Sequence, residues 1–441
     1  YLKLASYFID ERGRQPHYFD IEARERGEDP RGFYHKTYEY CQAHVPVREQ
    51  TRITGHAVRA MYLYCGMADV ARETGDETLV RACERLWEDV VRHHLYITGG
   101  IGQSRTNEGF TFPYDLPEES AYCETCAAVG FVLWNHRMLQ LTGDGRYADC
   151  LERALYNGTV SGVSLAGDRF FYVNPLASLG NHHRQDWFSC ACCPGNVSRM
   201  IASIGQYFYS VSEEGAWVHL YGTGEGRVQV RGREVRISQS TMYPWDGEVE
   251  VQVGFAHEEL APGRERQAAG HVFTLYLRIP GYCRSWTVRV NGRKVEGAPR
   301  SGYLAIERAW RPGDRVSIHF DMPVERVRAN PNVRMLNGKV ALQRGPVVYC
   351  LEEVDNPVRP LTRIALPRSS KLSAEYRPGF LGGVAVLTGE ALAIEDAGEG
   401  GDLYSFEVPN LRPVSITAVP YCVWDNREPG EMRVWLLEHP A

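Results

Sequence analysis

Pro194-Gly-Asn-Val-Ser-Arg-Met-Ile-Ala-Ser-Ile-Gly-Gln-Tyr-Phe-Tyr-Ser-Val-Ser-Glu-Glu-Gly-Ala-Trp-Val-His-Leu-Tyr221 contains a change of hydrophobic period. From Pro194 the apolar positions Ile201, Ile204 and Tyr207 keep helical spacing to about Ser212, and proline suits a first helical turn, where its missing N–H loses no partner. Past Gly215 the period drops to two. Trp217-Val-His-Leu-Tyr221 alternates apolar with polar side chains, as a strand with one buried face does. This stretch divides a helical first half from a β second half, which implies separate domains rather than an alternating α/β fold.

Upstream, helices are expected from Leu2 to a stop at Gly13, with Leu2, Ala5 and Tyr7-Phe8-Ile9 on one face, and then over 53–74, 78–93, 126–141 and 146–156. Between them, Gly99-Gly100-Ile101-Gly102 opens an irregular segment that carries Glu108. Downstream, Arg227-Val-Gln-Val-Arg231, Glu248–Val253, Phe273–Ile279 and Trp286–Val290 alternate, and Asn291-Gly292 is a two-residue hairpin turn. Strands return near Val384–Leu387 and Met432–Leu436. Runs of this kind indicate β-sandwich modules. The expected division is 1–213, helical; 214–345, a first sandwich; and 346–441, a C-terminal sandwich.

With 441 residues, 44% hydrophobic and 24% charged, the chain is a globular protein too long for one core. A net charge of −6 over that length supplies no basic footprint for nucleic acid or an anionic membrane. No apolar run is long enough to span a bilayer. The 12 cysteines are not spaced like a secreted disulfide framework, and Cys190-Ala-Cys-Cys193 reads as reduced thiols, so a cytoplasmic location is expected. Tyr1-Leu-Lys-Leu-Ala-Ser-Tyr reads as mid-helix, without initiator Met or cap, and suggests a fragment whose beginning lies upstream.

The chemistry concentrates in Cys190-Ala-Cys-Cys-Pro-Gly-Asn196 and Cys123-Glu-Thr-Cys126. Adjacent thiols pair with each other only through a strained ring, so Cys192 and Cys193 invite a soft metal or a reactive role. Pro194 should push Cys193 out of helical geometry and begin a helix, setting the thiols beside exposed N–H groups that favour thiolate. Glu124 and Cys126 would face opposite ways on a continuous helix. They can share an ion only if that helix starts at about Cys126. Zinc accepts such donors, and by spacing alone a closed structural ion or free core cysteines stand beside a catalytic one. On the same footing Glu108 reads as a solvated carboxylate and His56 as a core histidine. The pairs His93-His94 and His182-His183 read as structural or surface residues, Cys190 as packing, and Trp187 as the best candidate for a sugar-stacking ring.

His44-Val-Pro-Val-Arg-Glu49, Gly55-His-Ala-Val-Arg59, Glu124-Thr-Cys-Ala127, Phe170-Phe-Tyr-Val-Asn-Pro175 and Cys190-Ala-Cys-Cys-Pro-Gly-Asn-Val197 resemble the β-L-arabinofuranosidases of glycoside hydrolase family 127. The likeness reaches Tyr421-Cys-Val-Trp-Asp-Asn-Arg427 and Pro429-Gly-Glu-Met-Arg-Val-Trp435. It implies a catalytic (α/α)6 barrel, of which the C-terminal part is present, followed by two β-sandwich domains. It also implies a zinc ion held by Glu124, Cys126, Cys192 and Cys193, with Cys192 as nucleophile, Glu108 as acid/base, and His56 and Tyr172 touching the sugar. The substrate would be an arabinofuranose-containing oligosaccharide or glycoconjugate, and a homodimer through a β-sandwich domain is the assembly the likeness suggests. Glu124 as nucleophile over a structural zinc ranks second, because a carboxylate bound to zinc attacks less well than a free one. Two other classes stay open: a related glycosidase for another plant-polysaccharide sugar, and a non-catalytic zinc-stabilised carbohydrate-binding protein.

Overall fold

Capping side chains set the limits of the helical part. The structure, a computed structural model, describes residues 1–32, 37–255, 270–395 and 403–440. Its helices are α1 (Leu2–Glu11), α2 (Tyr18–Glu25), α3 (Ala57–Thr74), α4 (Glu77–His93), α5 (Thr125–Thr142), α6 (Gly145–Arg153) and α7 (Cys192–Ser203). The His56, Asp76 and Asp144 side chains accept backbone N–H groups at the starts of α3, α4 and α6. Gly75 and Gly143 end α3 and α5 in the left-handed conformation. α5 is buried all round from Thr125 to Val132, as a central helix must be, and packs on α3, α6 and α7. Gly130 allows that approach to α3: a Cβ there would lie 2.7 Å from the Met61 Cβ.

Three elements differ from the sequence reading. α3 begins at Ala57 rather than 53, with His56 as its cap instead of on its apolar face. α7 starts two residues before Pro194 and ends at Ser203, because Tyr209–Val211 leaves the helix to pair with Gly215–Val218. Aromatic and β-branched side chains suit that hairpin better than a helical tail. α1 buries only Ile9 and turns Leu2, Leu4, Tyr7 and Phe8 outward, so the expected apolar face stands largely exposed.

The β part contains a four-stranded sheet built on His271–Arg278 and Tyr303–Trp310, and a six-stranded sheet built on Arg233–Thr241, Glu248–Phe255 and Asp314–Phe320. Both bury one shared cluster that includes Val218, Val235, Val251, Leu275, Trp310 and Ile318. Asn291 and Gly292, both at positive φ, turn Val290 back onto Arg293. A ten-stranded sheet follows. Its strand Val324–Val327 pairs with Lys339–Arg344, so the change of sheet lies ahead of Val324 and not at 345; the backbone pairing, invisible in local sequence, decides it.

This last sheet is fastened to the helical part. Ala177–Leu179 pairs with Glu431–Arg433 inside it. Asn157 is fully buried just after α6, donates to Pro346 O (3.0 Å) and accepts from Val348 N (2.8 Å). Arg278, at the end of its strand, is wholly buried against Asp149 (2.7 Å) and Glu152 (2.5 Å) of α6.

Asn157→Ala strands a buried N–H and C=O at this junction, and urea unfolding is expected to show a loss of about 2–3 kcal/mol. A second expectation concerns pH. Burial lowers His94, His136 and His219 to about 4, about 4 and about 3. Unfolded histidines titrate near ~6.5, so the unfolded chain takes up these protons first and stability falls as pH drops below that value. Calorimetry between about pH 7 and 5 should show a declining Tm, and His136→Gln should flatten the decline.

Candidate active site and metal centre

Two helix N-termini meet at the sulfur cluster. Glu124 is the N-cap of α5 at φ −58°, ψ 135°, so the chain is extended there and helical from Thr125. The break sends Glu124 and Cys126 to the same side, with the helix starting one residue earlier than the spacing required. A lone antiparallel bridge joins Glu124 to Val173, Thr125 N donates to Tyr172 O (2.9 Å), and Thr125 Oγ1 donates to Phe171 O (2.8 Å). Tyr172 is thereby laid beside the carboxylate. Cys192 and Cys193 open α7, with Pro194 in its first turn, where a proline costs no hydrogen bond. Cys193 is helical after all, and both thiols belong to the first turn, the end of the helix whose dipole favours thiolate.

The ligand atoms of Glu124, Cys126, Cys192 and Cys193 all lie within 4.8 Å of one another. Cys126 Sγ is 3.3 Å from Cys193 Sγ, Cys192 Sγ 3.8 Å from Cys193 Sγ, and Cys192 Sγ 3.5 Å from Glu124 Oε1. Donors about 2.3 Å from a tetrahedral zinc stand about 3.8 Å apart, and three sulfurs with one carboxylate are a zinc-type set. Glu124 Oε2 is buried without a hydrogen-bond partner, an unmet need that a cation would satisfy. The residues present therefore fit a metal ion. Asn196 Nδ2 donates to Cys126 Sγ (3.0 Å) from the next turn of α7.

Opposite the sulfurs stands Glu108, at φ 49°. Its backbone C=O accepts from Ala57 N (3.0 Å) at the start of α3, and Gly109 follows because a Cβ there would collide with Gly55 O. Glu108 Oε2 is 2.9 Å from His56 Nε2, and Oε1 accepts from the Tyr122 hydroxyl (3.0 Å). His56 Nδ1 accepts from Val58 N (3.1 Å), so its proton lies on Nε2, which donates to Glu108. Ligand atoms of His56, Glu108 and Glu124 also fall within 4.8 Å of one another, which closes the ring of functional groups.

The electrostatics single out one sulfur. Hydrogen bonds from Cys126 and Cys193 lower the Cys192 thiol, and the same bonds to Cys192 raise Cys126. Cys193 rises through its bonds to Cys126 and Cys192. Burial, then the Cys192 charge, pushes Glu124 up to about 8. Burial, then its bond to Cys192, raises Tyr172, whose hydroxyl is 3.4 Å from that sulfur. Burial lowers His56 and keeps it neutral. These directions make Cys192, the half-buried member of the cluster, the sulfur that gives up its proton most readily.

Family models for the catalytic, middle and C-terminal domains of the GH127 beta-L-arabinofuranosidases match residues 1–206, 215–322 and 324–437. A non-reducing end beta-L-arabinofuranosidase of Bifidobacterium longum subsp. longum is 36% identical over 458 aligned positions, covering 99% of this chain and 67% of that protein. The chain belongs to glycoside hydrolase family 127. A GH127 beta-L-arabinofuranosidase from Geobacillus stearothermophilus T6 superposes with a TM-score of 0.93 at 49% identity, over 99% of this chain and 69% of that one. A second GH127 beta-arabinofuranosidase gives 0.88 at 39%, over 99% and 66%. The family-127 multidomain fold and a glycosidase activity class follow, which sets aside the non-catalytic binder.

In this family-127 chain the structure gathers Glu124, Cys126, Cys192, Cys193, Tyr172, His56 and Glu108 into one site. Sequence reading missed Tyr122 and Asn196. Tyr122 sits two residues before Glu124, and only the left-handed Cys123 (φ 40°) turns it toward Glu108. Asn196 had a local signal, being one turn beyond Cys193. Cys190 is exposed instead of packed. His93 and His183 pair with Asp89 and Asp425, His94 with Gln103 and His182 with Val173 O, so both histidine pairs are structural. Trp187 is exposed against the edge of Phe170 and Trp134 is core.

Zinc or cobalt added to the metal-free chain should bind at one ion per chain, with sulfur-to-metal charge-transfer absorption for cobalt. Affinity should rise with pH, since binding displaces thiol protons, and Cys126→Ser should weaken it and reduce that absorption.

Proposed function

We propose that the chain cleaves terminal β-L-arabinofuranosides with retention of configuration, through Cys192 as nucleophile and Glu108 as acid/base. The observation that carries this reading is that the ligand atoms of Cys192 and of Glu108 each lie within 4.8 Å of Glu124, in a chain 36% identical to a non-reducing end beta-L-arabinofuranosidase. The helical part is read as belonging to an (α/α)6 barrel, and the sheets as two β-sandwich domains.

Glu124, Cys126, Cys192 and Cys193 would hold the metal, read as zinc. Bound there, it would keep Cys192 deprotonated near neutral pH. The remaining steps belong to the chain's own side chains. Cys192 attacks the anomeric carbon while Glu108 donates its proton to the departing oxygen, so a C–S bond forms as the C–O bond breaks. Glu108, now a carboxylate, takes a proton from water. That water attacks the same carbon, the C–S bond breaks, and the Cys192 thiolate returns. Two inversions give net retention. His56 and Tyr122 hold both Glu108 oxygens in place, and Tyr172 borders the nucleophile and the sugar. Glu124 is the weaker candidate for attack, being buried with one oxygen already 3.5 Å from Cys192 Sγ.

The test uses a 4-nitrophenyl β-L-arabinofuranoside. Cys192→Ser is expected to lower kcat by more than about 1,000-fold. Glu108→Gln should cost about 100- to 10,000-fold on a sugar leaving group and less on nitrophenolate, which needs little protonation. NMR of the first-formed sugar should show the β anomer, and a trapped glycosyl label should map to the Cys192 peptide. A label on Glu124, or full turnover by Cys192→Ser, overturns the assignment.

A further inference from the structure

The first turns of α7 carry more than the two thiols. Asn196 follows Cys192 by four residues and Cys193 by three, which sets it on their face of the helix, and Arg199 follows Asn196 by another three. Arg199 Nη2 donates to Asn196 Oδ1 (2.7 Å) and to the Tyr62 hydroxyl (2.7 Å), and that hydroxyl donates in turn to Asn196 Oδ1 (3.3 Å). Tyr62 belongs to α3, so the three side chains form a clasp between α3 and α7. Its inner end is Asn196 Nδ2, 3.0 Å from Cys126 Sγ of α5.

The clasp decides which way the amide points. A guanidinium has only donors, so the amide atom that faces Arg199 is the oxygen. The NH2 group is left for the sulfur, and it can only donate. Turning the amide over would set its nitrogen against the Arg199 donor and its oxygen against the sulfur lone pairs, and both bonds would be lost. Cys126 Sγ therefore has an N–H donor held in place from two helices.

The other two sulfurs have different neighbours. Cys192 Sγ meets the Tyr172 hydroxyl (3.4 Å) and Glu124 Oε1 (3.5 Å), and Cys193 Sγ meets Glu124 Oε1 (3.7 Å). Cys126 is 1% exposed and Cys192 half-buried, so the sulfur that takes the amide is one sealed from substrate. A hydrogen bond from an amide draws charge off a thiolate, which then gives less of it to a bound cation. Where several ligands share one ion, the others must make up the difference. Cys192 then carries more of the demand, and its sulfur leaves the sugar carbon more readily when the C–S bond breaks.

We infer that Asn196, locked by Arg199 and Tyr62, is a positioning residue of the metal centre: it fixes Cys126 and tempers its sulfur, so that Cys192 remains the responsive ligand. It acts through Cys126, and its hydrogen bonds reach none of the residues assigned to the sugar. The inference deepens the proposed function and rests on Glu124, Cys126, Cys192 and Cys193 holding one ion.

Cobalt is the probe, added to the metal-free full chain and to its Asn196→Ala, Arg199→Met and Arg199→Lys variants, with circular dichroism to confirm folding. Asn196→Ala should bind cobalt about 10- to 100-fold more weakly. Its sulfur-to-cobalt absorption should move to longer wavelength, since a sulfur without its hydrogen bond yields an electron more easily. Arg199→Met, at an exposed position, should give a smaller shift of the same sign, and Arg199→Lys should restore the original band. Asn196→Ala/Arg199→Met should match Asn196→Ala alone, because Arg199 acts through the amide. On 4-nitrophenyl β-L-arabinofuranoside the departing group is good and breakage of the C–S bond limits kcat. There Asn196→Ala, saturated with zinc, should lower kcat by about 10-fold while kcat/KM, which reports the first half, changes by less than about 3-fold. An unmoved band in folded Asn196→Ala, Arg199→Met effects that add to it, or equal falls in kcat and kcat/KM would overturn the inference while the metal reading stands. If Asn196→Ala does not fold, the Arg199→Met and Arg199→Lys spectra decide, and the spectra also decide if the unaltered chain turns over no substrate. If the unaltered chain takes up no cobalt, the metal reading itself fails and the inference falls with it.

Discussion

The backbone at Glu124 leaves extended geometry and becomes helical one residue later, and the arrangement of the site descends from that break. An extended N-cap aims its carboxylate back over the first turn, so Glu124 and Cys126 converge where a continuous helix would part them. The same extended residue can still bridge to Val173, which draws Tyr172 alongside. α5 cannot slide to relieve the crowding, because its first half is buried on every side and sits against Met61 with no room at Gly130. Rigid surroundings of this kind hold reacting groups within the tolerance that chemistry demands.

Gathering three thiols and a carboxylate in a largely buried cluster is unfavourable unless their charge is answered. Two helix N-termini supply part of the answer, Asn196 another part, and the unpartnered Glu124 Oε2 shows that the protein alone does not complete it. On the far side, Glu108 and Cys123 both occupy the left-handed region, a conformation that costs a non-glycine residue energy and persists where tertiary contacts impose it. Here the contacts are the α3 N-terminus, which takes the Glu108 carbonyl, and Asn174, whose Nδ2 donates to Cys123 O (2.9 Å). Strain and unmet polarity thus collect at one place and are balanced by the packed helices around it.

How much of this can be read from the chain follows from the range of each interaction. The Asn291-Gly292 turn and the need for a late start at α5 are local, and both appear in the structure; the change of period is local too, but the first strand comes before Gly215, at Tyr209–Val211. The start of α7 is less legible, since a proline in a first turn is compatible with a helix that begins at it or just before it. Tyr122 and the joining of the last sheet to the helical part depend on residues distant in sequence. Arg278 is the clearest case. At the end of an alternating strand it reads as a solvent-facing cation, and only Asp149 and Glu152 of α6 make its complete burial tolerable.

The backing of Tyr172 comes from the far end of the polypeptide. Phe171 stacks on Trp424 at 4.9 Å, and Tyr421 Oη donates to Pro175 O across 246 residues of chain. During synthesis the sulfur-bearing helices leave the ribosome long before these partners exist. Domain-by-domain maturation from the N-terminus, usual for long chains, therefore cannot finish this site. Its wall closes only when the last strands arrive, so a chain released early would present the thiols without the support that orients them. Such long-range closure also makes the final docking step slow relative to helix formation.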